Sequence, residues 1–208
     1  MKIQFPNIAI VGTGAMGRGI AQIAAQAGSQ VFLLDANPGA ADAARAALQE
    51  QWNKLVAKGR IEADQATALT ARLHPVTTVA QLAACDLVVE AIVERLDAKQ
   101  ALFVELEGVV RADAVLATNT SSLSVTAIGA SLKRPERLAG FHFFNPVPLM
   151  KVVEVIAGLK TDPSICTALA AYAKAMGHTP VQAQDTPGFI VNHAGRGFGT
   201  EALRIVGE

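Results

Sequence analysis

The strongest constraint on this chain lies near its start, where the apolar, β-rich run Ile8-Ala-Ile-Val11 leads directly into Gly12-Thr-Gly-Ala-Met-Gly17. The residues that follow, through Ala27, contain no helix breaker except Gly19. A strand, a glycine hexad and a helix in immediate succession suit few backbones. Gly12 permits a tight turn, Gly14 lets the main chain approach a pyrophosphate, and Gly17 lets helix and strand pack closely. The helix start then offers unpaired amides and a favourable dipole to an anion. Without its context the hexad would equally be an ordinary glycine-rich turn.

The context extends the reading. A second apolar run, Val31-Phe-Leu-Leu34, ends at Asp35, which lies 18 residues beyond Gly17, near the roughly 20 expected of a ribose-binding acid. A carboxylate there accepts hydrogen bonds from ribose hydroxyls and repels a 2′-phosphate, which favours NAD over NADP. The alternative for Asp35 is a turn residue or helix cap. Gly12, Thr13, Gly14, Ala15, Met16, Gly17 and Asp35 are therefore the first cofactor-binding candidates.

Short β-branched runs alternate with Ala-rich runs along almost the whole chain, the rhythm of strand-helix-strand units feeding a parallel sheet. Strands are expected at 8–11, 31–34, 87–91 and 115–118, with others near 137–143, 151–156 and 179–182. Helices are expected at 15–27, 38–58, 97–110 and 163–176, with Asn37-Pro38 and Asp162-Pro163 as cap and first-turn pairs. The fold class is thus α/β, a Rossmann-type doubly wound and mostly parallel sheet. The polar stretch 59–73 fits neither pattern and reads as a helical excursion after the second strand. Pro187-Gly188 marks a boundary, dividing a dinucleotide-binding domain over 1–186 from a linker and first helix of a truncated second domain over 187–208.

Hydrophobic residues make up 51% and charged residues 17% of the chain, which excludes a disordered, solvating tract. Lys plus Arg and Asp plus Glu both number 18, so no long-range field favours nucleic acid or an anionic membrane surface. Cys85 and Cys166 are far apart and in no metal-ligand or redox spacing, as in a chain from a reducing, cytoplasmic compartment. No apolar run has the length of a membrane span or a signal-peptide core.

Two residues stand out for chemistry. His142 and Glu154 lie in apolar surroundings where neither serves packing, and each needs a partner. They are equidistant from Pro148, so a chain folded back around 145–150 would place imidazole opposite carboxylate. Glu154 would then fix the tautomer of His142 and stabilise its protonated form, suiting it to act as a base. The alternative is a satisfied core histidine beside an unrelated strand glutamate. Asn119-Thr-Ser-Ser122 follows a strand and so belongs at the carboxyl edge of the sheet, where such folds bind ligands. Each of its members could instead cap the next helix, with Ser122 or Ser124 in that role. Asn192, read alone, is an ordinary helix residue.

Taken together, Gly12–Gly17 with Asp35, Val88-Val-Glu-Ala-Ile-Val-Glu94, Asn119-Thr-Ser-Ser122, His142-Phe-Phe-Asn-Pro146, Glu154 and Thr186-Pro-Gly-Phe-Ile-Val-Asn192 resemble the L-3-hydroxyacyl-CoA dehydrogenases. The match runs over essentially the whole chain. The resemblance implies NAD-dependent oxidation of a 3-hydroxyacyl-CoA to a 3-oxoacyl-CoA, in fatty acid β-oxidation or related acyl-CoA metabolism. It makes His142 the general base, Glu154 its support, and Ser121 and Asn192 the polar residues that hold the substrate. It adds Ala91, Glu94, Lys99, Asn119, Ser121 and Asn145 as cofactor contacts and Lys58 as a contact to the CoA phosphates. A serine that some members place near that lysine is Gln51 here, and Lys54 and Arg60 could compensate or simply form a solvated basic face. The family also carries a helical domain that completes the acyl pocket and forms a homodimer, and this chain ends where that domain would begin. Two rivals stay open: a β-hydroxyacid dehydrogenase with a catalytic lysine, and an NAD-binding module without turnover.

Overall fold

The computed structural model describes residues 4–207. One sheet of eight strands organises them, in the order β3-β2-β1-β4-β5-β6-β7-β8. Its strands are β1 (Asn7–Val11), β2 (Gln30–Leu34), β3 (Leu73–Pro75), β4 (Leu87–Glu90), β5 (Val115–Thr118), β6 (Leu138–Phe143), β7 (Val152–Ala157) and β8 (Thr179–Gln184). All neighbours pair parallel except β6 and β7. Every residue of β4 and β5 is buried, which is why these strands are almost continuously apolar. The β6–β7 connection is too short for a parallel crossover, so the chain must turn back on itself.

Helices α1 (Ala15–Ala27), α2 (Ala40–Ala57), α3 (Ala63–Ala71), α4 (Leu96–Val109), α5 (Val125–Gly129), α6 (Pro163–Ala175) and α7 (Val191–Val206) connect or follow the strands. In α1, Gly17, Ile20, Ala21 and Ala24 recur at helical spacing and are buried. The helix stops at Gly28, whose φ of 105° places it in the left-handed region that favours glycine. Asp162 caps α6 as expected, its side chain accepting from the Ser164 amide at 2.8 Å.

The structure corrects two local expectations. Gly39, not Asn37, is the N-cap of α2, and Asn37 instead donates from its main-chain and side-chain amides to Asp35. Stretch 59–73 does form a helical excursion, α3, but then returns as β3 to extend the sheet beside β2. Three residues are too few to show a period-two pattern in the sequence.

After Pro187 the chain first packs inward. Phe189 is buried in the apolar cluster that includes Val125, Ile128 and Leu138, whereas α7 beyond it has no buried residue. Among the described residues no helix is long and apolar enough to cross a membrane.

Candidate active site

Strand order reverses at β1, which pairs with β2 on one side and β4 on the other, and ligand sites of open α/β sheets lie at such a switch point, beyond the carboxyl ends of the strands. The β1–α1 loop sits there. A Cβ on Gly12 would lie 2.5 Å from the Ala91 carbonyl oxygen, and one on Gly17 would lie 1.8 Å from the Gly12 carbonyl oxygen. Both positions require glycine to pack the fold. Gly14 differs: a Cβ there would meet nothing within 4 Å, so the space beside it is open. Helix α1 begins at Gly14 without a side-chain cap or an acidic residue in its first turn, which leaves its leading amides and positive dipole end for an anion.

Asp35 stands at the end of β2, and its carboxylate is already engaged. Oδ2 accepts from the Thr13 amide at 2.7 Å and the Thr13 hydroxyl at 2.8 Å. Oδ1 accepts from the Asn37 amide at 2.9 Å and its side chain at 3.1 Å. Burial pushes this carboxyl up, but the hydrogen bonds from Asn37 and Thr13 outweigh it and hold it below the usual carboxylate range. Asp35 therefore braces the glycine loop, a role its spacing in the sequence does not suggest.

From this loop a cleft of about 440 Å³ runs across the ends of the strands, lined by Met16, Ala91, Glu94, Lys99, Asn119, Ser121, His142, Asn145 and Asn192 among others. Nine sequence-predicted positions thus meet in one space. A buried polar network shapes its floor. The Lys99 ammonium, 1% exposed, lies 2.5 Å from Glu90 Oε1 and 3.2 Å from Glu94 Oε2. Glu90 also accepts from the Ile92 amide at 2.8 Å and from the Thr118 hydroxyl at 2.7 Å. Glu94 accepts from the Thr120 hydroxyl at 2.6 Å and the Ser121 amide at 2.9 Å. Burial pushes the Glu94 carboxyl up, but Thr120, Ser121 and Lys99 together lower it. These bonds join the loop after β4 to the loop after β5, and Asn119 extends them by accepting from the Phe143 amide at 2.9 Å. Glu90 and Thr118 were given no role from the sequence, and Thr120 figured only as a member of the Asn119–Ser122 cluster. The available signal was a charge closing the apolar run Leu87-Val-Val-Glu90, which a buried strand tolerates only with a partner.

His142 and Glu154 face each other across the antiparallel β6–β7 register, as their symmetry about Pro148 suggested. His142 Nδ1 lies 2.7 Å from Glu154 Oε2, and both side chains are at least 95% buried. Glu154 Oε1 accepts from the Ile190 and Val191 amides, each at 2.9 Å, so this carboxylate acts as an acceptor on both oxygens. Nδ1 is then the protonated nitrogen, and Nε2, which has no hydrogen-bond partner among the described residues, is left as a proton acceptor. Phe144 and Phe189 pack on the imidazole at centroid distances of 4.5 and 5.7 Å. Asn192 reaches back from α7, donating to the Ser121 carbonyl at 3.1 Å.

Lys58 does not join this group. It closes α2 at its C-terminal end and is exposed, while Gln51 lines a separate groove of about 320 Å³ with Arg18, Gln22 and the 145–149 loop. Lys54 is paired with Glu50 at 2.7 Å on the surface of α2.

Comparison with known proteins agrees with this geometry. Residues 7–186 match the family described as 3-hydroxyacyl-CoA dehydrogenase, NAD binding domain. The chain belongs to that family. Its cofactor is NAD. A 3-hydroxyadipyl-CoA dehydrogenase of Escherichia coli K12 is 44% identical over all of this chain and 44% of its own length. A probable 3-hydroxybutyryl-CoA dehydrogenase of Deinococcus radiodurans is 39% identical over 96% of this chain and 71% of its own. The crystal structure of a 3-hydroxybutyryl-CoA dehydrogenase from E. coli K12 superposes with a TM-score of 0.94 at 44% identity, over 97% of this chain and 43% of that one. The (S)-3-hydroxybutyryl-CoA dehydrogenase of Ralstonia eutropha gives a TM-score of 0.87 at 35% identity, over 91% of this chain and 67% of that one. The chain thus spans less than half the length of the E. coli relative. The residues present fit a dinucleotide: the open space beside Gly14 and the uncapped start of α1 are a cradle that no side chain fills.

Proposed function

We propose that this chain carries the cofactor and chemical half of an NAD-dependent oxidation of L-3-hydroxyacyl-CoA to 3-oxoacyl-CoA. The observation that carries the reading is the buried His142–Glu154 pair opening onto the same cleft as the glycine loop. His142 Nε2 takes the proton of the 3-hydroxyl, and Glu154 compensates the positive charge that the imidazole gains. Ser121 and Asn192, tied together, orient the oxygen and thioester so that the hydroxyl proton meets Nε2. NAD, when bound, supplies the hydride acceptor.

The amides and open face of Gly12–Gly17, including Thr13, Ala15 and Met16, hold its pyrophosphate, and Asp35 holds the adenosine ribose. Because Thr13 and Asn37 already occupy both Asp35 oxygens, a ribose hydroxyl displaces one of these donors, most readily the exposed Asn37 side chain. Ala91, Glu94, Lys99, Asn119, Ser121 and Asn145 line the nicotinamide end. The catalytic-lysine rival has little support, since Lys99 is locked between two carboxylates.

The substrate's CoA end runs toward Gln51 and Lys58. Residues 187–208 open a second, helical domain: Phe198, Leu203 and Val206 on α7 are 74–85% exposed, an apolar face that such a domain covers in a homodimer. We place the protein in the cytoplasm, where Cys85 and Cys166, both buried and free, stay reduced. NADH formation from 3-hydroxybutyryl-CoA tests the activity. NAD binding by calorimetry without any turnover would support the NAD-binding module instead.

A further inference from the structure

The two oxygens of Glu154 do different work. Oε2 accepts from His142, while Oε1 accepts the first two amides of the α7 segment, from Ile190 and Val191. With only the imidazole as partner, half of this wholly buried carboxylate would lack compensation, which a buried anion does not tolerate. The two amides and the positive end of α7 supply it. Delivering them requires an awkward turn. Gly188 has a φ of 78°, and Phe189, which is not glycine, has a φ of 50°. Two successive left-handed residues reverse the chain so that α7 points its N-terminus into the carboxylate. A bulky side chain holds such a conformation only when its surroundings over-determine it.

The surroundings that do so lie on both sides of the turn. Phe189 is buried under the imidazole and in the apolar core. Upstream, Asp185 leaves β8 and fastens the chain to the start of α5, accepting from the Ser124 hydroxyl at 2.6 Å, the Thr126 amide at 2.7 Å and the Val125 amide at 2.9 Å. Asp185 has no hydrogen bond with His142, Glu154 or any residue of α7 among the described residues.

We propose that Asp185 is a positioning residue for the active site: by pinning the 185–192 turn to α5 it delivers the first amides of α7 to Glu154, which in turn holds His142 with Nε2 as proton acceptor. The inference rests on His142 being the base. It goes beyond that reading by making a carboxylate on the far side of the turn part of the device that sets the imidazole's tautomer. If Asp185 only caps α5, removing it will loosen α5 and leave His142 untouched.

Nuclear magnetic resonance of the full chain separates these cases without using turnover. In Asp185→Ala, hydrogen exchange at the Ile190 and Val191 amides is expected to quicken at least tenfold. The imidazole ¹⁵N shifts of His142 should move from a pure Nδ1–H tautomer toward a mixture. In Ser124→Ala, which removes one donor and the α5 cap but leaves Asp185 on two amides, only α5 should exchange faster. If Asp185→Ala frees α5 while Ile190, Val191 and the His142 tautomer keep their native values, the proposal fails.

Glu154→Gln gives a second test that does not depend on the Asp185 variant folding. Its amide oxygen still accepts the two α7 amides, but its NH₂ faces Nδ1, so the amides should remain protected while His142 switches to the Nε2–H form. Unprotected amides in Glu154→Gln would overturn the bridge. None of these readouts requires the dehydrogenase reaction, so a failure here is distinct from a failure of the proposed activity.

Discussion

The two ends of the cleft are built by opposite means. At the glycine loop, function depends on missing side chains: Gly12 and Gly17 let the backbone pack on itself, and Gly14 keeps a face open. At the β6–β7 pair, function depends on charged side chains placed where burial is costly, with Glu154 wholly enclosed and satisfied by three donors from two distant segments. The first end is built on six successive residues, Gly12–Gly17, braced from the end of β2 by Asp35. The second is assembled from strands and a turn far apart in the chain. Both ends lean on a remote partner, but only the second has a wholly buried charge that loses compensation if that partner moves.

The largest expected effect falls on the assembled end. His142→Ala should slow NADH formation from a 3-hydroxyacyl-CoA by about two to four orders of magnitude, the usual span for loss of a general base. NAD affinity measured by calorimetry should stay near wild type. A large loss of NAD affinity would show that the two ends are not separable.

The glycines then sharpen the contrast within the local end. Gly17→Ala forces a methyl group into the Gly12 carbonyl and should cost about 1–3 kcal/mol or more of stability, read by denaturant unfolding. Gly14→Ala has no such clash and should unfold near the wild-type midpoint while binding NAD more weakly. Undiminished NAD affinity in Gly14→Ala would mean that the open face of Gly14 is not a ligand surface.

Asp35→Ala should weaken NAD binding by about 10- to 100-fold, the value of a charged hydrogen bond. It also releases Thr13, so Asp35→Asn, which keeps one acceptor oxygen, should recover part of the loss. Unchanged affinity in both variants would remove Asp35 from the ribose site.

A smaller effect follows from pH. Asp185 and Glu94 are both held below their ordinary carboxylate values, hydrogen bonding outweighing burial in each case. A depressed folded-state value means stability that is present above the unfolded value and lost as pH falls through the folded one. Acid titration below the usual carboxylate range should therefore loosen the loops on either side of the cleft, detected by amide exchange at 120–127, before the sheet unfolds. Asp185→Asn should flatten its share of that dependence.

The smallest change is expected at the thiols. Burial, aided by Asp86, pushes the Cys85 thiol up to about 12, and burial with Asp162 raises Cys166. Neither should react appreciably with a thiol reagent at neutral pH until the chain is unfolded. Rapid labelling of the native chain would contradict the burial of these side chains.

Much of the architecture was legible because its causes are local. The strand-to-helix alternation, the glycine hexad and the Asp162-Pro163 start of α6 each depend on neighbours within a turn or two. Strand β3 escaped notice because three residues carry no period. Asn37 was assigned to the wrong task because an asparagine before a proline suits a helix cap as well as a turn that donates to the preceding Asp35. At the site, spacing suggested that His142 and Glu154 meet, and the antiparallel register of β6 and β7 brings this about. Glu90 and Asp185 were missed, since their side-chain partners Lys99, Thr118 and Ser124 lie 9, 28 and 61 residues away.

The sequence alone determined the alternation of strands and helices, the glycine positions that no side chain can occupy, and the identity of the acids and bases available. Those follow from sterics and chemistry within a few residues. Only the tertiary structure decided which acid each base would meet. It joined Lys99 to Glu90 and Glu94, bound Thr13 to Asp35, and turned Glu154 between His142 and the start of α7. A buried charge must take whatever donors the packed elements bring to it, and the sequence does not specify that geometry at any one position.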